Sequence, residues 1–104
     1  MGEDNDSTHL PVLESLVGFL HVLDEDSAEV TIIEDTVPSE YQIPSVHFTR
    51  LGIREGDSFY VDVIRQGGQI RGAIRRFDEM ERQTCENEEY LTPEQLRGLS
   101  DRWD

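Results

Sequence analysis

The strongest constraint on the fold is a pair of adjacent glycines set between two runs of alternating residues. In Ser58–Arg65, Phe59, Val61 and Val63 alternate with Tyr60, Asp62 and Ile64; Gln66-Gly67-Gly68-Gln69 follows, and Ile70–Phe77 runs back. A period of two places alternate side chains on opposite faces of a strand. Adjacent glycines adopt the positive φ angles that a two-residue primed turn demands. This segment therefore predicts a β-hairpin. A lone hairpin is marginal in water, so the rest of the chain has to supply further strands or a helix to cover it.

Candidates lie upstream. Residues 12–23 are dense in apolar side chains; a helix fits the density, but Val17, Gly18 and Val22 favour a strand buried on both faces. Asp24–Ser27 reads as a turn, and Glu29–Glu34 as a second, β-branched strand. Asp35–Ser39, with Pro38, reads as a connection. Tyr41–Ile43 is a short strand stopped by Pro44, which cannot donate to a ladder. Ser45–Leu51 reads as a helical turn with Ser45 as cap and Val46, Phe48 and Leu51 pointing inward, and Arg54–Asp57 as a tight turn. The expectation is a mainly β chain: a small five-stranded SH3/OB-like barrel with one short helical turn (45–51) and a short C-terminal helix (93–103). That helix is announced by Thr92-Pro93-Glu94-Gln95, a capping box with proline at the first helical position. Leu96, Leu99 and Trp103 then form an apolar stripe, although Gly98 weakens the helix by about 1 kcal/mol. A helix this short needs a surface to lie against. Two readings stand: the stripe covers the open edge of the barrel, or it docks onto a partner.

The 104 residues suit one domain, with 1–11 as a disordered acidic tail, 12–77 as the barrel and 78–104 as an acidic linker and helix. Asp and Glu total 23 against 9 basic residues, giving a formal charge of −14, and every basic residue is Arg. Salt adaptation or GC-rich coding, imitation of nucleic-acid charge, and simple solubility all produce such a balance. The charges are unevenly spread. The first forty residues carry eleven carboxylates and no Lys or Arg, whereas 63–77 hold four arginines and no carboxylate. No apolar run reaches the ~20 residues of a membrane span, and the acidic N-terminus is unlike a signal peptide, so a cytoplasmic protein is expected. Cys85 is the sole cysteine and has no internal disulfide partner.

Little in the sequence points to catalysis. His9, His21 and His47 are scattered without metal-ligand spacing, and Cys85 lies in an acidic stretch that disfavours a reactive thiolate. Phosphate-loop, dinucleotide and nucleophile-elbow motifs are missing. The expectation is a chain that is not an enzyme and takes no cofactor and no metal. The candidate partner-binding residues are Arg65, Arg71, Arg75 and Arg76 on the hairpin and Leu96, Leu99 and Trp103 on the helix. Arg71 and Arg75 share one strand face and Arg76 projects from the other. Their guanidinium forks suit carboxylates or phosphates of a partner, or else neutralise the chain's own acidic segments such as 78–89.

The run Ile43-Pro44, Phe48, Leu51-Gly52-Ile53 and Glu55-Gly56-Asp57, followed by the alternating strand 58–64, resembles the swapped-hairpin DNA-binding domain of AbrB/MazE-like regulators and antitoxins. Thr92-Pro93-Glu94-Gln95-Leu96 is similar to the toxin-binding extension of such antitoxins. This resemblance implies a DNA-binding regulator, which the net charge opposes. Residues 16–103 also resemble small prokaryotic β-barrel proteins of no known activity. The leading expectation is a non-catalytic protein-interaction or regulatory module of a prokaryote or its virus, with another protein as partner and a monomeric or homodimeric state. A DNA-binding regulator or antitoxin is the alternative, and an acidic nucleic-acid mimic the third.

Overall fold

A computed structural model describes residues 10–85 and 90–103, with the side chains of Ser100, Arg102 and Trp103 outside the described set. The expected tail therefore lies outside it as far as residue 9, as do Glu86, Glu88 and Glu89. The architecture is mainly β. Strand β1 is Leu10–Pro11, β2 Glu14–Leu23, β3 Ser27–Glu34 and β4 Val37–Pro44. Helix α1 (Val46–Thr49) leads to β5 (Ser58–Gln66) and β6 (Gln69–Arg76); β7 (Thr84–Cys85) and helix α2 (Arg97–Trp103) complete the chain. Five strands form one antiparallel sheet in the order β4-β3-β2-β5-β6, and β1 pairs separately with β7.

The glycine hairpin forms as its sequence dictates. Gly67 and Gly68 have φ values of 63° and 80°, and Gln66 pairs with Gln69 across the turn. The β3–β4 connection is equally tight, with Glu34 paired to Val37 around Asp35 and Thr36, whose φ values are 49° and 66°. The connection expected over 35–39 is thus a two-residue primed turn made without glycine, and β4 begins at Val37. In β2 the register slips between Leu20 and Val22, leaving His21 as the extra residue of a bulge.

The inner face of the sheet carries the main core. Leu16 and Leu20 of β2, Val30 and Ile32 of β3, Ile43 of β4, and Phe59, Val61 and Val63 of β5 all point to it and are buried. Gly18 belongs there because its missing side chain makes room for the Phe59 ring: a Cβ at Gly18 would stand 2.5 Å from that ring. Phe59 in turn meets Phe48 of α1 edge-to-face at 5.0 Å. In α1, His47 and Phe48 turn inward and Val46 is exposed, and the Ser45 hydroxyl donates to the Glu25 carbonyl (2.8 Å) rather than capping the helix.

The sheet does not close into a barrel. β4 and β6 remain edges, and the C-terminal segment fills the space where they would meet. The Leu91 amide donates to the Gly72 carbonyl of β6 (2.7 Å); Leu96 packs over Gly72, and Gly98 of α2 sits against the Tyr41 hydroxyl of β4. The capping box forms in both directions, the Thr92 amide donating to Gln95 Oε1 (2.9 Å) and the Gln95 amide to Thr92 Oγ1 (3.2 Å). It closes a turn over 93–96, however, and the helix expected over 93–103 begins only at Arg97. Residues 78–91, expected to be a linker, supply β7 and the buried Leu91. Leu10 and Pro11, expected in the tail, pair with Cys85 and Thr84. No helix among the described residues is long and apolar enough to cross a membrane.

Candidate functional site

The outer face of the sheet is divided into two halves. Over β5 and β6 it is covered: Ile64, Ala73 and Cys85 form a second small core with Leu10, Val12 and Tyr90 around it. Next to that core lies the one carboxylate buried at the centre of the β5–β6 ladder, Asp62, fully inaccessible to solvent. Arg75 grips it through both oxygens, Nε to Oδ2 at 2.9 Å and Nη2 to Oδ1 at 3.0 Å. Arg82 Nε donates to Oδ2 at 2.6 Å, and Ser15 Oγ to Oδ1 at 2.7 Å. The second terminal nitrogen of Arg75 donates to the Glu79 and Met80 carbonyls at 3.1 and 3.3 Å, so the segment after β6 is tied down over the guanidinium. The same guanidinium lies 4.3 Å from the centre of the Tyr60 ring, and Phe77 stacks on Tyr60 at 4.8 Å.

Register explains why these groups meet. Asp62 pairs with Ser15 on one side and Ala73 on the other, and Tyr60 pairs with Arg75. Direct partners in an antiparallel ladder share a face. Burial pushes the Asp62 carboxyl up, but the hydrogen bonds from Arg75, Ser15 and Arg82 and the Arg75 charge outweigh it and hold its pKa below the ordinary aspartate value. With both oxygens occupied and ionisation favoured, Asp62 is poorly suited to accept a proton or attack a substrate near neutral pH. Its chemistry is that of a tie between β2, β5, β6 and the following loop.

The arginines singled out in the sequence therefore have different situations. Arg75 is buried against Asp62, while Arg76 makes an exposed 2.8 Å pair with Asp78. Arg71 is half-buried, its Nε enclosed without a hydrogen-bond partner, and Arg65 is exposed at the end of β5. The hairpin does not present them as one basic surface. Arg82, which sequence reasoning passed over, joins the buried network. Its position after an irregular stretch carried no periodic signal. Leu96 and Leu99 are 0% and 1% exposed and belong to the main core; the Trp103 side chain lies outside the described set. Among the described residues, no group of three or more His, Cys, Asp or Glu has metal-binding geometry.

Over β2, β3 and β4 the outer face is uncovered. Ile33, Val17 and Tyr60 lie side by side across β3, β2 and β5, continued by Phe77 through its stack on Tyr60. Phe19 adjoins Val17 two residues along β2. Phe19 and Phe77 are 38% and 49% exposed. Beside this band a shallow concavity of about 550 Å3 is lined by His21, Glu29, Glu40 and Gln42, with His21 Nε2 2.7 Å from Thr31 Oγ1. β2, expected to be buried on both faces, is buried on its inner face alone, because apolar density does not distinguish a covered face from one left open. No protein-family model matches the chain, and no curated protein or solved structure is significantly similar to it.

Proposed function

We propose that this chain is a non-catalytic protein-interaction module whose binding surface is the uncovered outer face of β2, β3 and β4. The observation that carries this reading is the contiguous band of half-buried Ile33, Val17 and Tyr60 flanked by the exposed Phe19 and Phe77, which no other segment of the described chain overlies although the neighbouring half of the same face is covered. Exposed aromatic and aliphatic side chains in a contiguous band mark interaction sites more often than isolated ones do. The hairpin arginines and the C-terminal stripe support it less: Arg75 is consumed by Asp62, and Leu96 and Leu99 by the core. The DNA-binding alternative is supported less because Arg75 is matched by Asp62 and Arg76 by Asp78, so the hairpin arginines do not form one basic face.

Site-specific photo-crosslinking tests the reading. A crosslinking residue at position 19 or 33 should capture a protein at a defined mass, and the same residue at position 46, exposed on α1 away from this face, should not. Equal capture from both sets, or none from position 19 or 33, would overturn it.

A further inference from the structure

Resting on that reading, we infer that the outer face docks a basic partner: a protein segment in which Lys or Arg side chains surround an apolar anchor. The band supplies the apolar half of the recognition. Phe19 pairs with Thr31 and Ser58, and Val17 with Ile33 and Tyr60, so the exposed rings and methyls stand on rigid strands rather than on loops. The charge on the same surface has one sign. Glu29 pairs with Gln42 and Thr31 with Glu40, which puts both glutamates on this face at the flank of the band. No Lys or Arg precedes Arg50, so β2, β3 and β4 carry no lysine or arginine to offset them, and the one imidazole beside them is His21, within reach of Thr31 Oγ1. Arg75 underlies Tyr60, and its charge is matched by Asp62.

Charge also selects among occupants. A second copy would bring its own Glu29 and Glu40 against these, within a pair of chains each carrying −14; like charges facing each other across an interface are costly. Nucleic acid is repelled by the same field. A cationic segment is attracted to it, and its encounter is accelerated at low ionic strength. The size of the face sets the strength. Three strands about 4.8 Å apart, of about eight residues at 3.4 Å each, project about 400 Å2, a footprint at the small end of specific interfaces. A transient, salt-sensitive complex is the expected form.

The test is selection of a displayed library of random 12-residue peptides on the intact chain, with parallel selection on Phe19→Ser and on Glu29→Gln combined with Glu40→Gln, each first shown to unfold cooperatively. Peptides retained by the wild type should be net positive with aliphatic or aromatic residues. Synthesised singly, they should lose about tenfold in affinity on Phe19→Ser and about threefold on the paired glutamine variant, and weaken as NaCl is raised. Peptides that depend on Phe19 but are neutral or acidic would overturn the basic partner while leaving the face as a binding surface. A selection indifferent to Phe19→Ser would remove both. A wild-type dimer in sedimentation that Phe19→Ser dissociates would assign the face to a second copy and overturn the inference.

Discussion

Asp62 receives four hydrogen bonds, two from Arg75 and one each from Arg82 and Ser15. Removing it would leave the buried Arg75 guanidinium without its counter-charge, and breaking a buried pair from one side costs about 3–5 kcal/mol. Asp62→Asn is expected to lower stability by that order at pH 7, and Ser15→Ala, which removes one donor, by about 1.5 kcal/mol. The pH dependence follows from the lowered native pKa. The Asp62 contribution is fully present above the unfolded value of about 3.9 and is lost as pH falls from there through the native value. Urea denaturation at stepped pH should therefore show the gap between wild type and Asp62→Asn narrowing below about pH 4. A gap that stays constant into acid would mean that the carboxylate's ionisation does not stabilise the fold. Ser58–Arg65 already showed in sequence that Asp62 faces away from Phe59, Val61 and Val63. It did not show that this second face would be buried, because the cover comes from residues 10–12 and 78–85, far away in the chain.

At the scale of elements, the two primed hairpin turns make a controlled comparison. Gly67-Gly68 was legible because glycine reaches positive φ without steric cost. Asp35-Thr36 was not, because a β-branched residue at positive φ is seldom favoured by its own conformational energy; pairing from Glu34–Val37 to Ser27–Pro44 holds it there. Thr36→Gly should therefore relieve a left-handed penalty of about 1 kcal/mol and raise the thermal midpoint. A lowered midpoint would show that the Thr36 hydroxyl bond to the Asp35 carbonyl outweighs the strain. The capping box was read correctly from Thr92 and Gln95, since its partners lie three residues apart and need no tertiary context. Where the helix packs was not readable. An apolar stripe has the same sequence whether it meets its own sheet or another protein.

For the whole molecule, the C-terminal segment is part of the core. Leu91, Leu96 and Leu99 are at most 1% exposed, and full burial of each contributes about 1.5–3 kcal/mol. Together that approaches the entire stability of a small domain, about 5–15 kcal/mol. A chain ending at Arg82 is expected to lose its cooperative unfolding transition and to bind a hydrophobic dye; a sharp transition near the wild-type midpoint would place the folding unit upstream of Leu91. The net charge of −14 adds self-repulsion that salt screens. Raising NaCl from about 10 mM, where the screening length is about 30 Å, to about 150 mM, where it is about 8 Å, should raise the thermal midpoint. An unchanged midpoint would mean that attractive pairs such as Arg76–Asp78 balance the repulsion.

By itself the sequence determined the five strands of the main sheet, the glycine turn, the Thr92–Gln95 box ahead of a short C-terminal helix and the sign of the molecule's field, all properties set by neighbours within a few residues or by simple summation. The tertiary structure alone decided that the sheet stays open, that Arg75 and Arg82 turn inward to Asp62, that Leu96 packs over Gly72 of β6 while Leu99 joins the main core, and that one half of the outer face is left uncovered. Each of these depends on which distant segment lies over which face. Period-two alternation names the two faces of a strand without saying what covers either.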